Sequence, residues 1–304
     1  MTVRRWLSTY AIFVALAIEC LVLALATDTF LTPENLVNVL RQNAYPAIIA
    51  AGMTFVILTG GIDLSVGAVV GLSGVLVADA LVHGWGLWPA VGLGLALGLG
   101  VGIVNALVIT RLRVPPFIVT LAMMLVVRGA AFKYTDARTI SGLPLSFESL
   151  SGSVPLVAMM AAVFALAWML LMRTAFGRHV YATGGNRDAA WLSGVQVNRV
   201  VMKVYVLCGL GAGLAGVLVA SRLASGVPRA GESYELDAVA AVVVGGTSLF
   251  GGRGSIWGTL GGTFFIGILN NGLNLYNVSP YDQMIVKGAV LLAAASLDRW
   301  RTQG

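Results

Sequence analysis

The stretch VGLGLALGLGVGIVNALVIT at residues 91–110 contains no charged side chain. A helix that crosses the hydrocarbon core of a bilayer needs about 20 largely apolar residues. The stretch therefore predicts a membrane-spanning helix. Within it, the pairs Gly94/Gly98 and Gly98/Gly102 have the GxxxG spacing that lets two helices approach closely in lipid.

The whole chain has the composition of a membrane protein, since 58% of its 304 residues are hydrophobic and only 11% are charged. The apolar runs predict an all-α polytopic protein with about ten transmembrane helices, at residues 8–28, 43–59, 64–82, 86–110, 115–134, 154–172, 201–221, 236–250, 255–276 and 282–297. Ten spans use roughly 200 residues, so we expect one transmembrane domain over residues 1–304. Two segments are candidates for broken or re-entrant helices: the short run 236–250 and the stretch 43–82, which GGIDLSVG interrupts.

The positions of the basic residues predict the orientation. With both termini in the cytoplasm, twelve of the 19 lysines and arginines lie on the cytoplasmic side, as the positive-inside rule requires. These are Arg4, Arg5, Arg111, Arg113, Arg173, Arg178, Arg187, Arg199, Lys203, Arg253, Arg299 and Arg301. An alternative is a cleaved signal peptide that ends at Ala24-Leu25-Ala26, but the long apolar run favours an uncleaved first span.

Further GxxxG pairs occur at Gly67/Gly71, Gly209/Gly213 and Gly258/Gly262. Such pairs predict helix-packing faces in a tight bundle, and we expect a self-association surface among them.

Polar side chains within or beside the spans are costly in hydrocarbon and therefore mark protein contacts or a watery path. The candidates for the translocation path are Asn43, Asp63, Ser65, Asn105, Asn270, Asn271 and Asn274. For Asp63 we favour a role at the start of the next helix. Asn270 and Asn274 share one helix face, where they either line a passage for an uncharged polar solute or bond neighbouring helices. No charged cluster of the kind typical of ion-coupled carriers is present in the sequence.

The sequence contains none of the nucleotide-binding or catalytic motifs that we looked for in it. A P-loop requires glycine before its lysine, whereas Lys133, Lys203 and Lys287 follow Phe132, Met202 and Val286. HExxH and GxSxG motifs are also absent from the sequence. We therefore expect no catalytic residue, metal site or cofactor in this chain, and an energy source outside it.

A polar segment, ATGGNRDAAWLSGVQV at residues 182–197, lies within a loop at 174–200. We expect Gly184 and Gly185 to end one helix and Asn186 to cap a short new one, with Asp188 in its first turn. Trp191, Leu192 and Val195 would be its buried residues. A helix this short cannot span a bilayer, so it either connects elements along the membrane surface or docks a soluble partner.

This segment resembles the cytoplasmic loop of ABC importer permeases, whose EAAxxxG motif corresponds to Asp188-Ala189-Ala190-Trp191-Leu192-Ser193-Gly194. Asp replaces Glu here, and the IxLP tail of many importers is absent. The chain is similar to the branch that serves ribose and related monosaccharides, also through GMTFVILTGGIDLSVG (52–67), VPPFIVTLAMMLVVRG (114–129), YELDAVAAVVVGGTSLFGGRGSIWGT (234–259) and NNGLNLYNVSPYDQMIVKG (270–288).

The resemblance implies a multi-pass permease in the bacterial inner membrane, in contact with lipid and paired with a second copy of itself or a close homologue. A cytoplasmic ATPase would bind ATP and Mg, a periplasmic sugar-binding protein would deliver the substrate, and nucleic acid would have no part. The residues matched to the ATPase contact are Gly177, Arg178, Gly184, Gly185, Asn186, Asp188, Ala189, Ala190 and Gly194. The alternatives are a self-sufficient secondary transporter for a small polar solute and, less favoured, a membrane enzyme.

On the outer side, a mixed-charge loop is a candidate docking site for the binding protein. It contains Arg222, Arg229, Glu232, Glu235 and Asp237. Internal salt bridges or simple solvation are the alternative, because exposed ion pairs usually contribute little.

Two short segments suggest an internal duplication. Residues Gly102–Asn105 precede a turn and Pro115, and residues Gly267–Asn270 precede a turn and Pro280. The ten-span arrangement places the two turns on opposite sides of the membrane, as an inverted repeat would.

Overall fold

The computed structural model describes the backbone of residues 3–303 and the side chains of residues 11–296, so the side chains of Arg4, Arg5, Arg299 and Arg301 lie outside the described part. The described residues form thirteen α-helices: α1 Val3–Ala26, α2 Pro33–Leu58, α3 Val66–Val82, α4 Leu87–Arg111, α5 Pro116–Thr135, α6 Leu145–Glu148, α7 Ser153–Arg173, α8 Ala175–Gly185, α9 Arg187–Leu192, α10 Val197–Leu223, α11 Tyr234–Val244, α12 Ile256–Leu275 and α13 Pro280–Gln303. A 3-10 helix covers Ser149–Ser151, and two short strands, β1 (Ile140–Ser141) and β2 (Ser225–Gly226), pair antiparallel.

Each of the ten predicted spans overlaps one of these helices, which agrees with an all-α membrane protein. By length and composition, four helices in the described part are long and apolar enough to cross a membrane: α4, α5, α7 and α10. The apolar part of α1 and the whole of α3 are shorter. As predicted, the stretch 43–82 is interrupted, because α2 ends at Leu58 and α3 begins at Val66. Helix α11 has 11 residues, about 16 Å at 1.5 Å per residue, which is too short for a full crossing.

Helices α2 and α10 form the centre of the bundle. From Asn43 to Leu58 almost every residue of α2 is buried, and α10 is buried along most of its length. The two helices cross closely, since a Cβ on Gly52 would lie 2.8 Å from the Cα of Cys208. Helices α3 and α4 pack on α10, and α7, α11 and α12 pack on α2, whereas α1, α5 and α13 lie further out, against α12, α3 and α11.

The GxxxG pairs lie at close contacts, as predicted. A Cβ added to Gly98 of α4 would collide with the carbonyl of Gly209 of α10, and the reverse substitution would collide in the same way. Gly258 and Gly262 pack in the same manner on α11, and Gly67 and Gly71 pack on the chain at residues 228–231. The expectation of a self-association surface among these pairs is wrong, because each pair is already covered within the chain.

Helices α2–α5 and α10–α13 have corresponding arrangements. Helix α10 packs on α3 and α4, while α2 packs on α11 and α12, so the first helix of each group lies against the other group. The turns before Pro115 and Pro280 each contain a left-handed residue, Arg113 (φ 56°) and Asn277 (φ 53°). One long helix, α7, separates the groups; a single additional crossing would give the second group the opposite orientation, as in an inverted repeat.

Candidate functional site

The loop at residues 174–200 forms two consecutive helices with side-chain caps. The Thr174 hydroxyl accepts a hydrogen bond from the Gly177 N–H at 3.3 Å at the start of α8. The Asn186 side chain accepts one from the Ala189 N–H at 2.9 Å at the start of α9, so the predicted cap is confirmed. Asp188 lies in the first turn of α9, where the helix dipole favours a negative charge.

Helix α9 ends at a glycine that adopts a left-handed conformation. Gly194 has φ +84°, its N–H donates to the Trp191 carbonyl at 2.9 Å, and the Val195 N–H donates to the Ala190 carbonyl at 3.0 Å. These two bonds form a Schellman motif, in which glycine is favoured because it has no Cβ. The last glycine of the matched motif therefore has a backbone role.

Two large apolar side chains of α9 are exposed, contrary to expectation. Trp191 is 68% exposed and Leu192 is 78% exposed, so the prediction that they are buried is wrong. Ala190 is the buried residue, at 5% exposure, because this short helix rests on its neighbours through a small side chain. The two large side chains consequently point away from the bundle. Exposed apolar side chains grouped in this way are typical of an interaction surface.

Gly177 and Gly184 allow close contacts between backbones. A Cβ on Gly177 would collide with Leu171 at the end of α7, and one on Gly184 would collide with the Leu58 carbonyl at the end of α2. Helix α8 ends at Gly185, as the Gly184-Gly185 pair predicted, and Asn186 leads into the next helix. The C-terminal end of α8 is thus packed directly on α2. Arg178 is exposed, and its guanidinium lies 3.4 Å from the Thr174 carbonyl oxygen.

A cleft of about 540 Å³ lies between α9, the end of α4 and the start of α10. Three arginines line it with a single carboxylate, so the cleft is positively charged. The lining residues are Thr110, Arg111, Arg187, Asp188, Trp191, Gln196, Val197, Asn198, Arg199 and Met202. Sequence reasoning did not group these arginines, because Arg111 lies far from Arg187 in the chain.

Three of the path candidates form one buried hydrogen-bonded group. The Asp63 carboxylate accepts hydrogen bonds from the Ser65 N–H at 3.0 Å and from the Ser65 hydroxyl at 2.6 Å, and the Asn105 amide donates to that hydroxyl at 2.9 Å. All three residues are fully buried. The group orders the turn that leads into α3, which agrees with the role we favoured for Asp63.

The same turn is held by two hydroxyls that the sequence did not single out. Thr120 of α5 and Tyr205 of α10 both donate to the Ile62 carbonyl, at 3.2 Å and 3.3 Å. The turn between α2 and α3 therefore contacts three helices, since Asn105 belongs to α4.

The other asparagines lie apart from this group. Asn43 donates to the Val39 carbonyl at 2.8 Å and packs against Gly267. Asn271 exchanges two amide hydrogen bonds with Asn35 of α2, at 3.0 Å and 2.8 Å, so it bonds neighbouring helices. Asn274 accepts from Gln283 at 2.7 Å, and the side-chain oxygen of Asn270 is buried without a hydrogen-bond partner.

The mixed-charge loop divides into packed and exposed residues. Asp237 forms an ion pair with Lys287 of α13, with both carboxylate oxygens 3.2 Å from the ammonium nitrogen. Glu235 is partly buried beside Gly67. Arg222, Arg229 and Glu232 are exposed, with Arg222 over the ring of Tyr45 and Arg229 over the ring of Phe132. Arg128, which sequence reasoning left without a role, donates to the carbonyls of Pro228 and Ala230, each at 2.9 Å, and so fixes this loop.

Comparison with known proteins identifies relatives over nearly the whole chain. A family model described as branched-chain amino acid transport system / permease component matches residues 35–295. The chain is 52% identical over 295 residues to the ribose import permease protein of Bacillus subtilis (strain 168), covering 94% of this chain and 91% of the relative. It is 44% identical over 304 residues to the ribose import permease protein of Escherichia coli (strain K12), covering 97% and 95%. The D-allose transport system permease protein of Escherichia coli (strain K12) is 35% identical over 297 residues, covering 95% and 91%. No solved structure matches significantly.

Proposed function

We propose that this chain, which belongs to the family of branched-chain amino acid transport system permease components, is the membrane subunit of an ABC importer for ribose or a closely similar monosaccharide. The sugar is supported by the two ribose permeases, to which the identity is higher than to the allose permease. The chain acts as a transport subunit and not as an enzyme.

The protein is a multi-pass component of the bacterial inner membrane. In the arrangement we propose, ten helices (α1–α5, α7 and α10–α13) form one transmembrane domain over residues 1–304. Helix α11 spans only part of the membrane thickness, and the segment 226–231, which packs along α3 from Ala78 to Gly67, covers the rest. Both termini and the loop at 174–200 are cytoplasmic, which the distribution of lysine and arginine supports.

Helix α9 is the proposed contact with the ATPase subunit, which binds ATP and Mg. The observation that carries this assignment is the exposure of Trp191 and Leu192 on a short capped helix beside an arginine-lined cleft. Asn186 and Gly194 fix the two ends of that helix, so it can transmit force as a rigid unit. Asp188 and Ala189 lie on its exposed side.

Closure of the ATPase pair would push on α9, and the contacts of α8 would pass this movement into the bundle. Gly184 lies against the carbonyl of Leu58, and the chain after Leu58 forms the turn that Thr120 and Tyr205 hold. A rigid-body shift of α8 thus acts directly on α2 and α3, which would support alternating access.

The other partners follow from the same assignment. A second copy of the chain, or a close homologue, completes the path, and a periplasmic binding protein meets the exposed Arg222, Arg229 and Glu232. For the path itself, Asn270, whose side-chain oxygen has no hydrogen-bond partner, and the exposed Asn274 remain candidates for contact with the sugar, whereas Asn271 is buried and bonded to Asn35.

Uptake by proteoliposomes tests the proposal. Vesicles that contain the permease, its ATPase and its binding protein should accumulate radiolabelled ribose when ATP is supplied to the ATPase side, and should not do so with a non-hydrolysable analogue. Ribose uptake by the permease alone on a proton or sodium gradient would instead identify a secondary transporter.

A further inference from the structure

The segment at residues 245–255, which we name the Phe250 loop, joins α11 to α12 and is tightly folded. Gly246, Gly251 and Gly252 have φ angles of 89°, 87° and 72°. Within the loop, the Ser248 N–H donates to the Arg253 carbonyl at 2.9 Å and the Gly251 N–H donates to the Ser248 carbonyl at 3.0 Å. These bonds fix the backbone on both sides of Phe250.

The Phe250 loop is bonded to α8, the helix that leads into α9, and to α2, on which α8 packs. The Gly252 N–H donates to the Leu58 carbonyl of α2 at 2.9 Å, and the Tyr181 hydroxyl of α8 donates to the Gly254 carbonyl at 3.0 Å. A Cβ on Gly252 would lie 2.7 Å from the Cα of Gly185, the last residue of α8. The loop therefore lies next to the start of α9.

The tip of this loop presents an aromatic side chain that the chain itself does not cover. Phe250 is 64% exposed, and Arg253 three residues later is also exposed. A loop with so many internal bonds holds its exposed phenylalanine in one place. Aromatic side chains fixed beside an arginine are the composition preferred at the centre of protein interfaces.

We propose that the Phe250 loop and α9 form one continuous docking surface for the ATPase subunit, in which Phe250 enters an apolar pocket and Arg253 meets a carboxylate. This proposal rests on the proposed function, which assigns α9 to the ATPase. Irregular backbone does not lie exposed in the hydrocarbon region, and the exposed Gly246 and Arg253 place the loop on the aqueous side with α9. The ATPase would then contact the segment that leads directly into α12, which begins at Ile256.

Photocrosslinking in the assembled transporter tests this surface. In a background with Cys20→Ala and Cys208→Ala, single cysteines at Phe250, Trp191 and Leu145 are labelled with a benzophenone maleimide. Leu145 is exposed at the far end of α10, where Ser221 bonds the carbonyl of Phe147. Phe250→Cys and Trp191→Cys should both crosslink to the ATPase, and Leu145→Cys should not.

The outcomes separate the two claims. Crosslinking from position 191 but not from position 250, or only lipid adducts at position 250, would overturn the proposal and leave the proposed function standing. The absence of ATPase crosslinks at both positions would contradict both.

A binding measurement completes the test. Phe250→Ala should weaken binding of the purified ATPase to the permease in nanodiscs by about tenfold, the effect of losing one aromatic anchor. Trp88→Ala, which removes an exposed aromatic side chain at the start of α4, is the matched control and should bind as the unmodified chain does. Equal affinity for Phe250→Ala and the unmodified chain would overturn the proposal.

Discussion

Gly194 closes α9 through its backbone conformation. A Cβ at this position meets nothing within 4 Å, so an added methyl group has room, but φ of +84° strains any L side chain. Gly194→Ala should therefore weaken the end of α9 by about 1 kcal/mol. We expect the ratio of ATP hydrolysed to ribose transported to rise in this variant, while its insertion into the membrane stays normal.

The matched control for this variant is Gly92→Ala, because Gly92 also has open space around its Cβ position but lies within a regular helix. The ratio of ATP hydrolysed to ribose transported should not change in this control. A normal ratio for Gly194→Ala as well would show that the left-handed conformation is not needed for coupling.

Asp237 is held by Lys287, and this pairing gives it a structural role. Replacing one partner leaves the other charge partly buried and unpaired, so Lys287→Met should destabilise the protein by about 2 kcal/mol. The exchanged pair, Asp237→Lys with Lys287→Asp, should recover much of that loss in thermal unfolding followed in detergent. If Asp237 instead served only to dock the binding protein, Lys287→Met would leave the unfolding temperature unchanged.

At the level of single residues, the sequence predicted local hydrogen bonds better than it predicted which side chains are exposed. The Asn186 cap depends on neighbouring residues and was found. The exposure of Trp191 and Leu192 was not predicted. Helix α9 has six residues, and its contacts with α8 and α10 determine which of its sides is buried. The bonds of Thr120 and Tyr205 to Ile62 join distant segments, and no local pattern marks them.

Among the elements, the contact between α4 and α10 depends on glycine. Gly98→Ala would place a Cβ against the Gly209 carbonyl and force the two helices apart, at a cost of about 1–3 kcal/mol. Gly100→Ala, two residues along the same helix, meets nothing within 4 Å and serves as the control. The unfolding temperature in detergent should be lower for Gly98→Ala than for the unmodified chain, and should not change for Gly100→Ala. Equal unfolding temperatures for the two variants would contradict the close packing of these helices.

The helices themselves were predictable from apolar length, whereas the Phe250 loop was not. Each predicted apolar run overlaps a helix, although α2 begins about ten residues before its predicted span and α11 ends about six residues before the end of its own. An apolar run in lipid has to satisfy its own backbone, and a helix does so. The attachment of the Phe250 loop to α8 joins residues that are far apart in sequence, such as Gly184 and Gly252. A cluster of glycines with no apolar period was the available signal, and it does not reveal which element the loop contacts.

In the whole molecule, the two four-helix groups interlock. Because α2 packs on the second group and α10 on the first, a movement that enters at α8 reaches both groups through α2. The sequence suggested the duplication from two short segments and two prolines. The packing of α2 on the second group and of α10 on the first is a tertiary arrangement that these short segments do not predict.

The central claim is that ATP-driven force enters this chain through α9. ATP-dependent ribose uptake by proteoliposomes that contain the ATPase and binding protein, compared between the unmodified permease and Trp191→Asp, tests it most directly. The account predicts that uptake is abolished by Trp191→Asp, because the buried charge would prevent docking, while the permease still inserts and folds. Undiminished ATP-dependent uptake by Trp191→Asp would contradict the account.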